Sequence, residues 1–254
     1  MSWAHPELAI VGDGASAGVS RPQEDARAIR EHTGVPTSAF TVRSRDAAEL
    51  AAALRSLPDE VAAVYLTGAE PAKARAAQRE LALTVPVVTE EETAGIVLTA
   101  AVLIRSRRLH VAPFDAKVVV AGSDTMPLLV PLLVASGVGE VVAWRRDDAA
   151  GFPLPEVARN ATVVVDVVGE FGGSALMPPD RCARLLPLPG LFAALRRGLG
   201  VSDPMDHLDV HRACAHALTT LAPVDRPLPE LSDPDVATRV LDAITEAVRQ
   251  PRRR

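Results

Sequence analysis

Four stretches of the sequence set chemically capable side chains close together. His207 and His211 stand four residues apart within Asp206-His207-Leu208-Asp209-Val210-His211, and His216 follows. On a helix that spacing puts both imidazoles on one face, where they can share a zinc ion. A third ligand would come from Asp203 or Asp206. The plainer expectation is an N-cap at Asp206 followed by solvent-facing histidines. Glu90, Glu91 and Glu92 are consecutive acids. Hard cations take such oxygens, yet acids that open a helix also complement its dipole, and that is the expected role. Gly169-Glu170-Phe171-Gly172-Gly173-Ser174 follows an apolar run. A loop at the carboxyl end of a parallel strand lines the ligand crevice of such sheets. Glu170 would be its polar group, flanked by Gly172 and Gly173; a plain tight loop is the alternative. Arg252-Arg253-Arg254, one turn after Arg249, reads as a solvated basic tail over 251–254. No Gly-x-Ser-x-Gly or P-loop motif is present, so hydrolase and nucleoside-triphosphatase readings have no support.

Composition narrows the field. The chain has 254 residues, 48% hydrophobic and 23% charged. That is an ordinary globular balance, long enough for one large domain or two small ones. A formal charge of −5 argues against a nucleic-acid partner. Cys182 and Cys214 share no metal-type spacing and make no disulfide framework. A reducing cytoplasm is therefore expected. The N-terminus lacks a basic region followed by an apolar stretch, so no signal peptide is expected. No apolar run reaches the roughly 18 residues a bilayer crossing needs, so no membrane contact is expected either.

Short apolar runs alternate with helical patterns. Strands are predicted over 8–11, 39–42, 61–66, 85–88, 117–121, 140–144 and 162–168. Helices are predicted over 23–32, 46–57, 70–83, 89–107, from a turn to 136, and then over 191–199, 206–221 and 233–249. Thr89 with Glu92 three residues on is a capping-box pattern. Pro223 to Pro234 reads as a proline-rich linker crossing the surface. The β-α-β-α order predicts an α/β fold, with parallel sheets flanked by helices on both faces. Two lobes are expected, divided near Val88 and Thr89.

Several stretches resemble the malic enzymes. Val11-Gly12-Asp13-Gly14-Ala15-Ser16-Ala17-Gly18 is similar to that family's Gly-Asp-rich turn. Val85-Pro86-Val87-Val88-Thr89-Glu90-Glu91 is similar to its Pro-Val-Phe-His-Asp-Asp segment. The span 117–146 resembles its dinucleotide-binding strand, loop, helix and strand. Leu186-Pro187-Leu188-Pro189-Gly190-Leu191-Phe192 resembles its Leu-Ala-Phe-Pro-Gly-Ile-Phe signature. Ser232-Asp233-Pro234 and the last helix are similar to its closing helix. The resemblance runs in order along almost the whole chain. It implies a doubly wound, Rossmann-like parallel sheet over 89–250, preceded by a smaller, truncated α/β lobe over 1–88, with a helical C-terminus. The final helix is expected to pack back on the first lobe. The family's N-terminal segment, with its catalytic tyrosine, is expected to lack a counterpart, and the stretch between Val168 and Leu185 is expected to be shortened.

The same resemblance implies a general base, a divalent cation and a nicotinamide cofactor, and each position is altered. The base falls at Arg30, whose guanidinium keeps its proton; a surface arginine is the expected role. The Glu-Asp metal pair falls at Thr67 and Gly68, within Leu66-Thr67-Gly68-Ala69. Glu90 and Glu91 are the residual acids, and no metal is assigned there. The Gly-x-Gly-x-x-Gly fingerprint is replaced by Gly122-Ser123-Asp124-Thr125-Met126-Pro127. Asp124 sets a carboxylate where a diphosphate would lie, a repulsion of about 4 kcal/mol at about 4 Å and an effective dielectric of about 20. Asp124 or Thr125 is expected as a helix N-cap instead. The acid that would hold the ribose is replaced by Arg145, which suits a 2′-phosphate. Gly122, Ser123, Asp124 and Arg145 are thus what remains of a cofactor site, with NAD(P) implied by the resemblance alone. The paired asparagines of the family fall at Ala183 and Arg184. The expectation is a non-catalytic binding or regulatory protein, a homodimer as members of that family commonly are, holding a small ligand in the old crevice or pairing with a protein partner. The alternatives are an oxidoreductase or decarboxylase of altered substrate using NAD(P), and a structural subunit beside another protein.

Overall fold

The computed structural model describes residues 7–14, 22–82, 84–199 and 204–249, with the side chains of 204–206 excepted. The basic tail, Asp203, the Asp206 carboxylate and residues 15–18 of the Gly-Asp-rich turn lie outside what it describes.

Strands β1 (Glu7–Asp13), β2 (Thr37–Val42), β3 (Val61–Thr67) and β4 (Val87–Thr89) form a parallel sheet in the order β2-β1-β3-β4. Parallel neighbours need a crossover, and α1 (Pro22–Thr33), α2 (Ala47–Arg55) and α3 (Pro71–Leu81) supply them. The starts of α2 and α3 are written locally. Asp46 accepts the Glu49 N–H at 2.9 Å, and Glu70 accepts those of Ala72 and Lys73 at 2.9 Å each. Side chains alternate across the pleat. Leu8, Ile10, Ala63 and Tyr65 therefore face one core, while Ala9, Val11, Val64 and Leu66 face another. Both faces are buried, as parallel sheets require.

The second sheet repeats this logic in the order β6-β5-β7, from β5 (Lys117–Ala121), β6 (Glu140–Trp144) and β7 (Val163–Asp166). Val118 and Val120 face one core, Val119 and Ala121 the other. Helices α5 (Leu129–Ala135) and α6 (Leu154–Val157) follow β5 and precede β7. The α/β class with parallel sheets and flanking helices is as expected.

Between the sheets runs α4 (Glu90–Arg108), buried on nearly every side. Ile96, Val97 and Ala100 join the core of the first sheet, and Ala94, Leu98 and Val102 that of the second. Its middle, from Ala94 to Ile104, presents apolar side chains on both faces and so packs as a core helix between the sheets. Its start is the capping box read from the sequence: Glu92 N–H to Thr89 Oγ1 at 3.3 Å, and Thr89 N–H to Glu92 Oε2 at 2.6 Å. The chain ends in α7 (Arg181–Leu185), α8 (Leu188–Arg196), α9 (Pro204–Leu221) and α10 (Pro234–Arg249). Val236, Val240 and Ile244 of α10 share the core of Leu8, Ile10 and Tyr65. Gly190 explains part of the Pro-Gly signature as packing. A Cβ there would stand 2.5 Å from Val240 Cβ, so only glycine lets α8 and α10 cross this closely. No helix among the described residues is long and apolar enough to cross a membrane.

Two sequence expectations need correction. Neither Asp124 nor Thr125 caps α5. The helix begins later, at Leu129, with Leu128 at the N-cap and no side-chain cap of its own. Pro127 cannot donate an N–H, and the residues before it close a turn instead. The helix expected over 191–199 opens earlier, at Leu188, where Pro189 suits a first turn. The stretch before it folds α7, whose N-cap Asp180 accepts the Ala183 N–H at 2.8 Å. The segment between α9 and α10 is a linker as expected. Arg108 holds it to α4 by donating to the carbonyls of Pro223, at 3.0 Å, and Arg226.

Candidate functional site

Successive residues on a helix diverge by about 100°, and the three acids at the start of α4 use that divergence to enter three environments. Glu90 points into a crevice of about 250 Å³ between the sheets, lined among others by Leu66, Thr125, Val167 and Arg184. Its carboxylate accepts the Thr67 hydroxyl at 2.9 Å and the Gly68 N–H at 2.9 Å, and it pairs with Arg184 of α7. Glu91 turns toward α5. It pairs with Arg75 and accepts the Leu128 N–H at 3.1 Å, so it supplies from outside the cap that α5 lacks. Glu92 faces a second and larger cavity, of about 380 Å³, walled by Leu191, Leu195, Leu199, Leu208 and Ile244.

A polar seam continues from the crevice beneath α1. Asp25, buried, pairs with Arg181, which also pairs with Glu24. Burial pushes the Asp25 carboxyl above the usual range, and the Arg181 hydrogen bond and charge only partly offset this. Tyr65, the chain's one tyrosine, meets Thr93 Oγ1 at 3.2 Å. Burial raises its hydroxyl to about 12, against the smaller effect of Thr93.

The residues expected in a cofactor site lie elsewhere. Gly122 takes φ +82°, and a Cβ there would stand 2.4 Å from Val168 Cγ1. The N–H groups of Gly122 and Ser123 both donate to the Trp144 carbonyl, at 2.9 and 3.3 Å, and Thr125 N–H donates to Gly122 at 3.0 Å. Asp124 is exposed. So is Arg145, whose N–H donates to Asp148 Oδ2 at 2.9 Å. Arg30 is exposed on α1. Glu170 pairs with Arg146 on the surface at 2.5 Å. Arg30, Gly122, Ser123, Asp124, Arg145, Glu170, Gly172 and Gly173 line neither of the two cavities.

The glycine-rich loop after β7 is wound around Asp166. That buried carboxylate accepts the N–H groups of Val168, Gly169, Glu170 and Phe171 at 2.7–3.2 Å. Burial opposes the charge, but these donors outweigh it and hold the carboxyl below the usual aspartate range. Gly169, Gly172 and Gly173 supply the positive φ values, 63–75°, that the winding needs.

The second cavity gathers groups that the sequence only half revealed. His207 and His211 lie on one face of α9, with ring centroids 6.1 Å apart in an edge-to-face arrangement. Glu92 reaches them from α4, with its Oε1 3.6 Å from His211 Nε2. One ligand atom from each of the three residues falls within 4.8 Å of the others. Burial pushes the His211 imidazole below the usual histidine range, with Glu92 opposing. The pair was legible as His-x₃-His. Glu92 was not, because it lies more than a hundred residues away. His216 is exposed and outside the cluster.

No family model matches the sequence, and no curated protein matches it. Solved structures do resemble it. The malic enzyme of Entamoeba histolytica superposes with a TM-score of 0.73 at 12% identity, covering 97% of this chain and 70% of that one. The malic enzyme of Pyrococcus horikoshii gives 0.71 at 14% identity, over 97% and 77%. The NAD-dependent malic enzyme of Thermotoga maritima gives 0.68 at 16%, over 95% and 84%. At such identities the likeness concerns the fold, and in fold this chain is malic-enzyme-like.

Proposed function

We propose that this chain is a binding protein on a malic-enzyme-like fold, and not a malate-oxidising enzyme. One observation carries the reading: Glu90 and Glu91 are both committed to protein partners. Glu90 is held by Arg184, Thr67 and Gly68, and Glu91 by Arg75 and the Leu128 N–H. A guanidinium therefore stands where the acids would meet a divalent cation, and Thr67 and Gly68 bring no further charge. The residues present do not fit a nicotinamide coenzyme either. A helix start holds a phosphate through free N–H groups. Here the Leu128 N–H serves Glu91, those of Gly122 and Ser123 serve Trp144, and Asp124 adds a negative charge.

The larger cavity is the better ligand seat. About 380 Å³ lies within the range of small-molecule sites, and apolar walls with a few convergent polar groups are their usual make-up. Arg75, Gln78, Arg79, Glu92, His207 and His211 are among those groups here. The ligand is small and largely apolar, with one polar end.

Calorimetric titration of the full chain with NAD⁺ and NADP⁺, with and without malate and manganese, tests the first half. No saturable binding below millimolar concentration and no reduced coenzyme at 340 nm are expected. Micromolar binding or turnover would overturn it. An anilinonaphthalene sulfonate probe tests the second half. It should bind at one per chain, and Leu195→Trp, which fills the cavity, should weaken it about tenfold or more, the loss of about 1.4 kcal/mol of contact. Unchanged probe binding in that variant would remove the cavity from consideration.

A further inference from the structure

We propose that Glu92, His207 and His211 form a site for one divalent transition-metal ion of the zinc class, with its remaining coordination position open to the large cavity. The three residues offer two imidazole nitrogens and one carboxylate oxygen, all within 4.8 Å of one another. Nitrogen and oxygen ligands bind zinc at about 2.0–2.2 Å, which sets tetrahedral neighbours about 3.3 Å apart. His211 Nε2 and Glu92 Oε1, at 3.6 Å, are already close to that spacing and too far apart for a hydrogen bond. His207 is only half-buried, and a small rotation about its side-chain bonds completes the set.

The surroundings point to a ligand. His211 is 5% exposed, and its Nε2 faces Glu92 Oε1. Glu92 is 8% exposed, and the groups hydrogen-bonded to it, Thr89 and Gln78, are neutral. A cation between Nε2 and Oε1 would take the Nε2 lone pair and offset the Glu92 charge, with the imidazole proton on Nδ1. The supporting shell is in place. Thr89 holds Glu92 Oε2 through its N–H and its hydroxyl, and Gln78 Nε2 donates to Oε1 at 2.9 Å while also donating to the Val87 carbonyl at 2.7 Å. Outer contacts of this kind fix the direction of a metal-binding carboxylate. Two imidazoles favour zinc, cobalt or nickel over magnesium or calcium, which prefer oxygen alone. With no fourth ligand in the cluster among the described residues, water or a small anion from the cavity completes the shell. The site shares the cavity of the proposed binding function but needs no organic ligand to be read.

The test uses the full chain, stripped with a chelator and titrated with zinc chloride, and separately with cobalt chloride. One zinc per chain is expected, and cobalt should give the visible bands of a four-coordinate nitrogen and oxygen site. His207→Ala should weaken zinc binding at least about 100-fold, more than the loss of an outer-shell contact costs. Glu92→Gln, which keeps the shape of the cap, should weaken it similarly. His216→Ala should leave it unchanged. Equal zinc affinity in wild type and His207→Ala, or no stoichiometric zinc at ten-micromolar metal, would overturn the proposal. Failure of the organic probe to bind would leave the metal result standing, so the two readings fail separately.

Discussion

Lys73→Met is expected to lower the free energy of unfolding by about 3–5 kcal/mol, the cost of stripping a buried charge of its partner. Asp13, at the carboxyl end of β1, has no solvent exposure, and its ion-pair partner Lys73 shows only 13% of its side chain. Ser44 accompanies the pair. Its hydroxyl lies 3.2 Å from Asp13 Oδ2, and its carbonyl accepts Lys73 Nζ at 3.0 Å. Removing the ammonium takes an ion-pair partner from a carboxylate with no solvent exposure. Urea unfolding at neutral pH measures the loss. The double variant Lys73→Met with Asp13→Asn should recover part of it, because the buried negative charge is then gone as well. A loss no larger than that from breaking the exposed pair of Arg146 and Glu170 would mean that Asp13 finds other compensation.

Asp166→Ala should cost about 3 kcal/mol, since one carboxylate serves four backbone donors and bonds to a charged group are worth about 1.5–3 kcal/mol each without adding fully. Hydrogen exchange should rise at 168–171 before it rises in β5. The pH dependence follows from the lowered carboxyl. A group bound more tightly in its charged form when folded stabilises the protein above its unfolded pKa, near 3.8. That contribution is lost as pH falls below this value through the folded one. Wild type should therefore lose stability in this window, and the Asp166→Ala chain should lose less there. Parallel acid limbs in the two proteins would contradict the assignment.

Much of the fold could be read from local pattern. Each strand expected from an apolar run is present, because alternating burial on two-sided parallel sheets needs runs such as Val118-Val119-Val120. The Thr89 and Glu92 cap was legible because its partners lie three residues apart. The start of α5 was not. Its cap is Glu91, a residue 37 positions away, and no local pattern signals it. Long-range pairing also hid the site. Arg184 read only as a missing asparagine until it proved to be the cation on Glu90, and Asp25 gave no signal until α7 brought Arg181 against it. The two histidines were visible as a spacing; the Asp203 and Asp206 carboxylates expected beside them lie outside the described residues, and Glu92, which the spacing could not signal, is the acid found next to them.

The proposed function rests on acids of the crevice and N–H groups of the neighbouring 122–123 turn that are already satisfied from within. A crystal of the protein soaked in millimolar NADP⁺ tests this most directly. The expected map holds no ordered diphosphate over residues 122–127, with Glu91 still on the Leu128 N–H and Arg184 still on Glu90. A fully ordered coenzyme with its diphosphate on the Gly122 and Ser123 N–H groups, and the Trp144 carbonyl displaced, would contradict it.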